Sequence, residues 1–381
     1  MRQIRHPGEM RWETRLLGVV TLTLLVIGLV TTYSATWVTQ HASGAGLTYA
    51  LKQLIGAALG GVLLIGASRI DYHRWRQWAW PLLIGTVVLL LIPLLRIPHV
   101  AYCANGACRW IVVGPINFQP SELARLVIII WCAMLATKKG AQMREFKRGV
   151  LPFIIVLGGV SLLIFIEPNL SMATLVALLG GLVLFAAGAR IGHFVLLTVG
   201  GALLAYNLIQ SAAYRLARLL TFRDLSTASP DAKYQIMNSL IGIGSGGLFG
   251  VGFGEGQQKL GYLPESTSDF LFSSIAEEWG FIGVCVIVGL YGLFCWLGFR
   301  IAKTAADPFG QYLAVGLTAT VGVTAFMHMA VTLNLMPTTG LTLPFMSYGR
   351  SSLVISLLST GILINIGRQR GRKIPEPKVA R

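Results

Sequence analysis

The chain has 381 residues, of which 54% are apolar and only 12% charged, against roughly 25% charged in an ordinary soluble domain. That composition excludes a water-soluble globule. Disorder, collagen-like repeats and a disulfide scaffold fall with it, since the 44 Gly show no three-residue period and there are only five Cys. A net charge of +16 would point to nucleic acid in a soluble protein, but most Lys and Arg here sit in short loops between apolar runs, so lipid phosphates are the expected partners and nucleic acid is not.

At roughly 20 residues per crossing, the chain reads as an all-α polytopic membrane protein with about ten transmembrane helices. The apolar windows fall at about 16–36, 48–68, 79–95, 119–137, 150–166, 170–189, 192–210, 279–299, 310–331 and 351–367. Residues 1–381 form one membrane domain, with a large extracytoplasmic loop, 211–278, between helices seven and eight. If the N-terminus is inside, 21 of the 31 Lys and Arg lie on the inner side, which places both termini in the cytoplasm. The first span is then a retained helix and not a cleaved signal. Lys52, Arg96, Arg109, Arg125, Arg215, Arg218, Arg223, Lys233, Lys259 and Arg350 are the exceptions, in outer loops or within spans, and five of them fall in 211–278. Loops of that length are usually functional, so the active surface is expected there, on the outer face.

Taken in chain order, the first motif is Cys103-Ala104-Asn105-Gly106-Ala107-Cys108. Asn-Gly is the strongest short hairpin signal. A two-residue turn pairs Ala104 with Ala107 and sets Cys103 opposite Cys108, close enough for a disulfide on an oxidising outer face. The fourth span opens with Gln119-Pro120-Ser121-Glu122 and then Arg125. Glu122 and Arg125 share a helical face, either as intramembrane functional charges or as glue between helices.

In the long loop, alternate glycines run from Gly246 to Gly256. No βαβ pattern surrounds them, so they are not a nucleotide loop. They let backbone fold closely against helices or a diphosphate, with N–H groups free to donate. Leu263-Pro264-Glu265-Ser266-Thr267-Ser268-Asp269-Phe270 follows, then Glu277-Glu278 at the start of the eighth span, where acids complement a helix dipole. Pro and Gly between Asn334 and Ser352 forbid regular helix, and that segment should be a re-entrant or extended loop lining a cavity.

These motifs, in this order, resemble the SEDS family of bacterial cell-wall polymerases over nearly the whole chain. The matching strings are Arg109-Trp110-Ile111 with Gln119-Pro120-Ser121-Glu122, Glu167-Pro168-Asn169-Leu170, Tyr234-Gln235, Gly246-Gly247 with Leu263-Pro264-Glu265, Asp269-Phe270 with Glu277-Glu278, and Leu343-Pro344-Phe345-Met346-Ser347-Tyr348-Gly349. The resemblance implies a ten-helix fold in the cytoplasmic (inner) membrane that polymerises lipid II into glycan strands on its outer face, with Asp269 at the family's essential aspartate. It also implies a class B penicillin-binding transpeptidase as partner, alongside other divisome or elongasome membrane proteins. The chain departs from the family pattern at Asn169, Ser171, Thr267 and Arg350. Gln258-Lys259 and Gly340-Leu341-Thr342-Leu343-Pro344 look more like the division branch of the family than its elongation branch, which stays the alternative.

Polymerisation from a lipid diphosphate needs a base for the acceptor hydroxyl and positive charge for the departing diphosphate. Asp269 is the expected base, and the anomeric centre should invert because one displacement needs one carboxylate. Arg109, Arg215, Arg218, Arg223, Lys259, Glu265, Ser347 and Tyr348 are the expected substrate-binding residues, while Glu122, Arg125, Glu167, Glu277 and Glu278 are structural or intramembrane. No Cys/His metal set is legible in the sequence, and a divalent cation such as Mg or Mn is left open. The rival readings are a flippase moving lipid II past Lys52, Glu122 and Arg125, and a scaffold that only holds a partner. Clustering of the anomalous charges in outer loops favours the enzyme.

Overall fold

The computed structural model describes residues 12–43, 46–97, 100–104, 107–114, 116–210, 216–218, 221–222, 224, 229–263 and 266–369. Among these, eight helices are long and apolar enough to cross a membrane. They are α1 (Trp12–Ser43), α2 (Gly46–Arg69), α3 (His73–Leu94), α4 (Pro120–Lys139), α5 (Leu151–Ile166), α9 (Leu271–Lys303), α10 (Pro308–Thr332) and α11 (Arg350–Arg368). Two further apolar helices, α6 (Leu170–Ala186) and α7 (Ile191–Gln210), occupy the remaining expected spans, and α8 (Pro230–Ser245) lies within the long loop. The chain is an all-α multi-pass membrane protein.

Helix α4 sits at the centre. Nearly every residue from Pro120 to Ala136 is buried, Glu122 and Arg125 included, and from Leu126 to Ala136 the helix is apolar all round. It packs on α3, α6 and α10, while α11 lies along α2 and α9 along α10. Glycine permits close approach here: a Cβ on Gly361 of α11 would lie 2.4 Å from the carbonyl oxygen of Leu64 on α2.

One end of the bundle gathers the irregular parts. A three-stranded antiparallel sheet, β1 (Ala101–Ala104), β2 (Ala107–Val113) and β3 (Ile116–Phe118), precedes α4. The Gln119 N–H, after β3, donates to Ser351 Oγ at the start of α11 (3.1 Å), so the sheet is tied to that helix. The same end holds the turn 266–270 and the non-helical segment 333–349 that joins α10 to α11. At the opposite end, Asp307 caps α10 and accepts from Tyr72 Oη (2.6 Å), the Asn365 side chain bridges α11 to the α2–α3 turn, and Arg300 pairs with Glu13 at 2.5 Å beneath Trp12 and Trp296.

Two boundaries differ from the sequence reading. Helix α9 starts at Leu271 and not near 279, so Glu277 and Glu278 lie in its seventh and eighth positions instead of at its N-terminus. Apolar scanning misses this start because two carboxylates interrupt it. The helix is also broken at Gly280 (φ 65°, ψ −165°). The freed backbone groups at the break are met by the glycine run: Val251 and Gly252 N–H donate to the carbonyls of Glu277 (3.0 Å) and Glu278 (3.2 Å), and Phe281 and Ile282 N–H donate to Gly247 (2.9 Å) and Leu248 (3.2 Å). Within the run the Val251 and Gly252 N–H groups are thus engaged with α9, and those of Gly246 and Gly250 with the carbonyls four residues earlier, so these four are not held open for a diphosphate.

Candidate active site

Asp269 stands two residues before α9, in a turn whose main chain is clamped by the 333–349 segment. Ser347 Oγ donates to the Ser268 carbonyl (2.7 Å) and accepts the Leu343 N–H (2.9 Å), and the Tyr348 N–H donates to the Thr267 carbonyl (2.9 Å). Thr267 thus contributes its backbone carbonyl to the clamp. The carboxylate itself lies against Gly340, where a Cβ would come 3.5 Å from Asp269 Oδ2 and φ is +69°. Two residues earlier, the Thr338 carbonyl accepts from Arg218 Nη1 (3.3 Å). A half-buried carboxylate and an exposed guanidinium from opposite halves of the long loop therefore converge on residues 338–340.

Ser347 and Tyr348 support this site from behind. Gln53 Nε2 donates to the Ser347 carbonyl (3.1 Å) and Thr32 Oγ1 to that of Met346 (3.3 Å), which seats the segment on α1 and α2. Tyr348 packs against Tyr49 at 5.2 Å between ring centroids. Burial pushes its hydroxyl above the ordinary value, with the Arg350 charge pulling the other way. Arg350 opens α11 with ordinary helical backbone, its side chain lying over Gly56 of α2, so no glycine-like freedom is needed at this position.

Lys259 is only 5% exposed. Its Nζ donates to Glu278 Oε1 (2.7 Å) and to Ser34 Oγ (2.9 Å). That environment makes it a strut between the long loop, α9 and α1, in place of the diphosphate ligand its outer-loop position suggested. Glu277 accepts the N–H groups of Gln257 (2.8 Å) and Gln258 (3.3 Å). Glu122 and Arg125 do pair, at 2.9 Å, wholly inside the bundle. Arg215, Arg223 and Glu265 lie outside the described residues.

Arg109 is engaged with main-chain carbonyls. Its Nε donates to the Glu167 carbonyl (3.1 Å) and its Nη2 to that of Pro168, binding β2 to the α5–α6 turn. Cys103 and Cys108 face each other across the hairpin and are disulfide-bonded just before it. Asn169 caps α6 through the Met172 N–H (3.3 Å), a task Asn performs as well as Asp. The Glu167 side chain is 1% exposed with neither oxygen hydrogen-bonded among the described residues, and burial pushes its carboxyl up to about 8 against the opposing charge of Arg109. Sequence reading missed His328, a lone histidine in an apolar span, whose Nδ1 lies 2.7 Å from the Leu341 carbonyl.

The fold defines a polytopic membrane protein with its non-helical segments gathered at one end. The FtsW, RodA and SpoVE cell cycle protein model matches residues 14–372, and the chain belongs to that family. It is 38% identical over 359 residues to the probable peptidoglycan glycosyltransferase FtsW of Geobacter sp. (strain M18), covering 93% of this chain and 96% of that one. It is 36% identical to stage V sporulation protein E of Bacillus subtilis (strain 168), again over 93% and 96%. Among solved structures it is similar to a chain from a peptidoglycan synthase complex described as coordinating polymerization and crosslinking (TM-score 0.78, 26% identity, 93% and 98% covered). It is also similar to the rod shape determining protein RodA of Thermus thermophilus (TM-score 0.69, 27% identity, 93% and 97% covered).

Proposed function

We propose that the chain is a peptidoglycan glycosyltransferase that polymerises lipid II into glycan strands on the outer face of the cytoplasmic membrane, in septal division. Family membership and the names of its relatives support the activity, and the FtsW-named relatives support the division role over the elongation role of RodA. The observation that carries the mechanism is the convergence of Asp269 and Arg218 on residues 338–340.

Asp269 takes the proton from the acceptor sugar hydroxyl as that oxygen attacks the anomeric carbon of the donor, with inversion. Arg218, joined by Arg215 and Arg223 of the same loop, neutralises the departing diphosphate, for which a guanidinium fork suits two phosphate oxygens. Among the described residues no three His, Cys, Asp or Glu side chains gather as metal ligands. A divalent cation, Mg or Mn, would therefore be seated by Asp269 and the substrate's own diphosphate, not by a protein cage. The inner side of the membrane takes both termini, following the bias of Lys and Arg. A single-span class B transpeptidase is the crosslinking partner, consistent with the synthase complex among its structural relatives.

A flippase would need charge along its path. The α4 pair is confined to the first two turns, and from Leu126 to Ala136 the helix carries none. Proteoliposomes with labelled lipid II separate the two readings: the polymerase converts label into a ladder of glycan lengths, whereas a transporter would move label across the bilayer and leave it monomeric.

A further inference from the structure

The segment that carries Gly340 against Asp269 has no helix or strand ladder of its own from Pro337 to Leu343. Two side chains hold its carbonyls, Arg218 at Thr338 and His328 at Leu341. The Leu341 bond is buried and fixes the chemistry of the ring. A carbonyl oxygen only accepts, so Nδ1 carries the proton, and His328 acts as a donor on a helix largely buried in the bundle. His328 is 1% exposed. Its other nitrogen, Nε2, has no hydrogen-bond partner among the described residues. One turn earlier on the same face of α10, Thr324 Oγ1 lies 3.5 Å from Nη1 of Arg125, which in turn pairs with Glu122. A histidine in this place costs the fold a desolvated nitrogen. An aliphatic side chain would fill the space without that cost, so packing alone does not account for it.

We propose that His328 is a positioning residue for the catalytic aspartate: by holding the Leu341 carbonyl it sets the backbone of residue 340 against the Asp269 carboxylate. This inference rests on the polymerase reading. It predicts that the donor at Nδ1, and not the bulk of the ring, is what the reaction requires. Asparagine places its amide N–H near the position of Nδ1, whereas glutamine places it near Nε2.

The test compares purified His328→Asn, His328→Gln and His328→Leu in proteoliposomes with labelled lipid II. His328→Asn should keep kcat within about threefold of wild type. His328→Gln and His328→Leu should lose about tenfold or more in kcat with KM within about twofold, because a displaced base slows chemistry without touching the diphosphate contacts. If the leucine variant does not fold, the asparagine and glutamine pair decides. Asparagine as slow as glutamine, all variants at the wild-type rate, or a loss confined to KM would overturn the proposal. A readout independent of turnover is the carboxyl 13C resonance of Asp269, assigned with Asp269→Asn. It should move in His328→Gln and stay in His328→Asn, and an unmoved resonance in both contradicts the positioning role even in a protein that makes no glycan. A wild-type protein that makes no glycan, with the resonance behaving as described, would instead sink the polymerase reading and leave the His328 geometry standing.

Discussion

At the scale of single residues, the bundle separates charges by what surrounds them. Arg218 is exposed at the mouth of the site, while Lys259 is enclosed with Glu278 and Ser34. Removing one partner of a buried pair leaves an uncompensated charge at a cost of about 3–5 kcal/mol. Lys259→Met should therefore lower the thermal midpoint in detergent strongly, and Lys259→Met with Glu278→Leu should recover much of it. A variant of unchanged stability but raised KM for lipid II would return Lys259 to the diphosphate. Glu167 offers a pH test. Its folded value of about 8 exceeds the ordinary carboxyl value of 4.5 because burial disfavours the charged form. The stability held by the neutral carboxyl is complete below pH 4.5 and drains away as pH rises through about 8. Wild type should lose thermal stability across that window relative to Glu167→Gln, and parallel curves for the two proteins would contradict the assignment. Such environments are invisible in a sequence. Asp269, Glu122 and Arg125 were legible from motif and spacing, whereas His328 and the burial of Lys259 depend on which helices meet.

At the scale of elements, the sequence carried the spans well because their apolar length is a direct physical requirement of the bilayer. The Asn-Gly turn likewise made the hairpin register readable down to the facing cysteines. It hid the start of α9, since a helix interrupted by two carboxylates and a glycine resembles a loop when read locally. The break at Gly280 is a backbone device. A Cβ there would lie 2.2 Å from the Gly250 nitrogen, at a φ of +65°. Left-handed backbone alone costs a side chain about 1–2 kcal/mol, and the clash adds to it. Gly280→Ala should lower the thermal midpoint and loosen the 247–252 run, seen as faster amide exchange at Val251 and Gly252. Exchange at the wild-type rate would mean that the loop does not depend on the break.

At the scale of the whole molecule, the proposed chemistry falls at one end of the bundle and a set of interhelical ties at the other. The end with the sheet, the 266–270 turn and the 333–349 segment also holds Arg218, one of the cations that depart from the topology rule. The opposite end ties helices together through Asp307, Asn365 and Arg300. Asp269 is the group proposed to take the acceptor proton. The measurement that tests this most directly is the rate of glycan polymerisation by purified Asp269→Asn in proteoliposomes with labelled lipid II. A loss of about 10²- to 10⁴-fold at unchanged thermal stability is the result expected for removal of a general base, and a folded variant keeping more than about a tenth of the wild-type rate would contradict it.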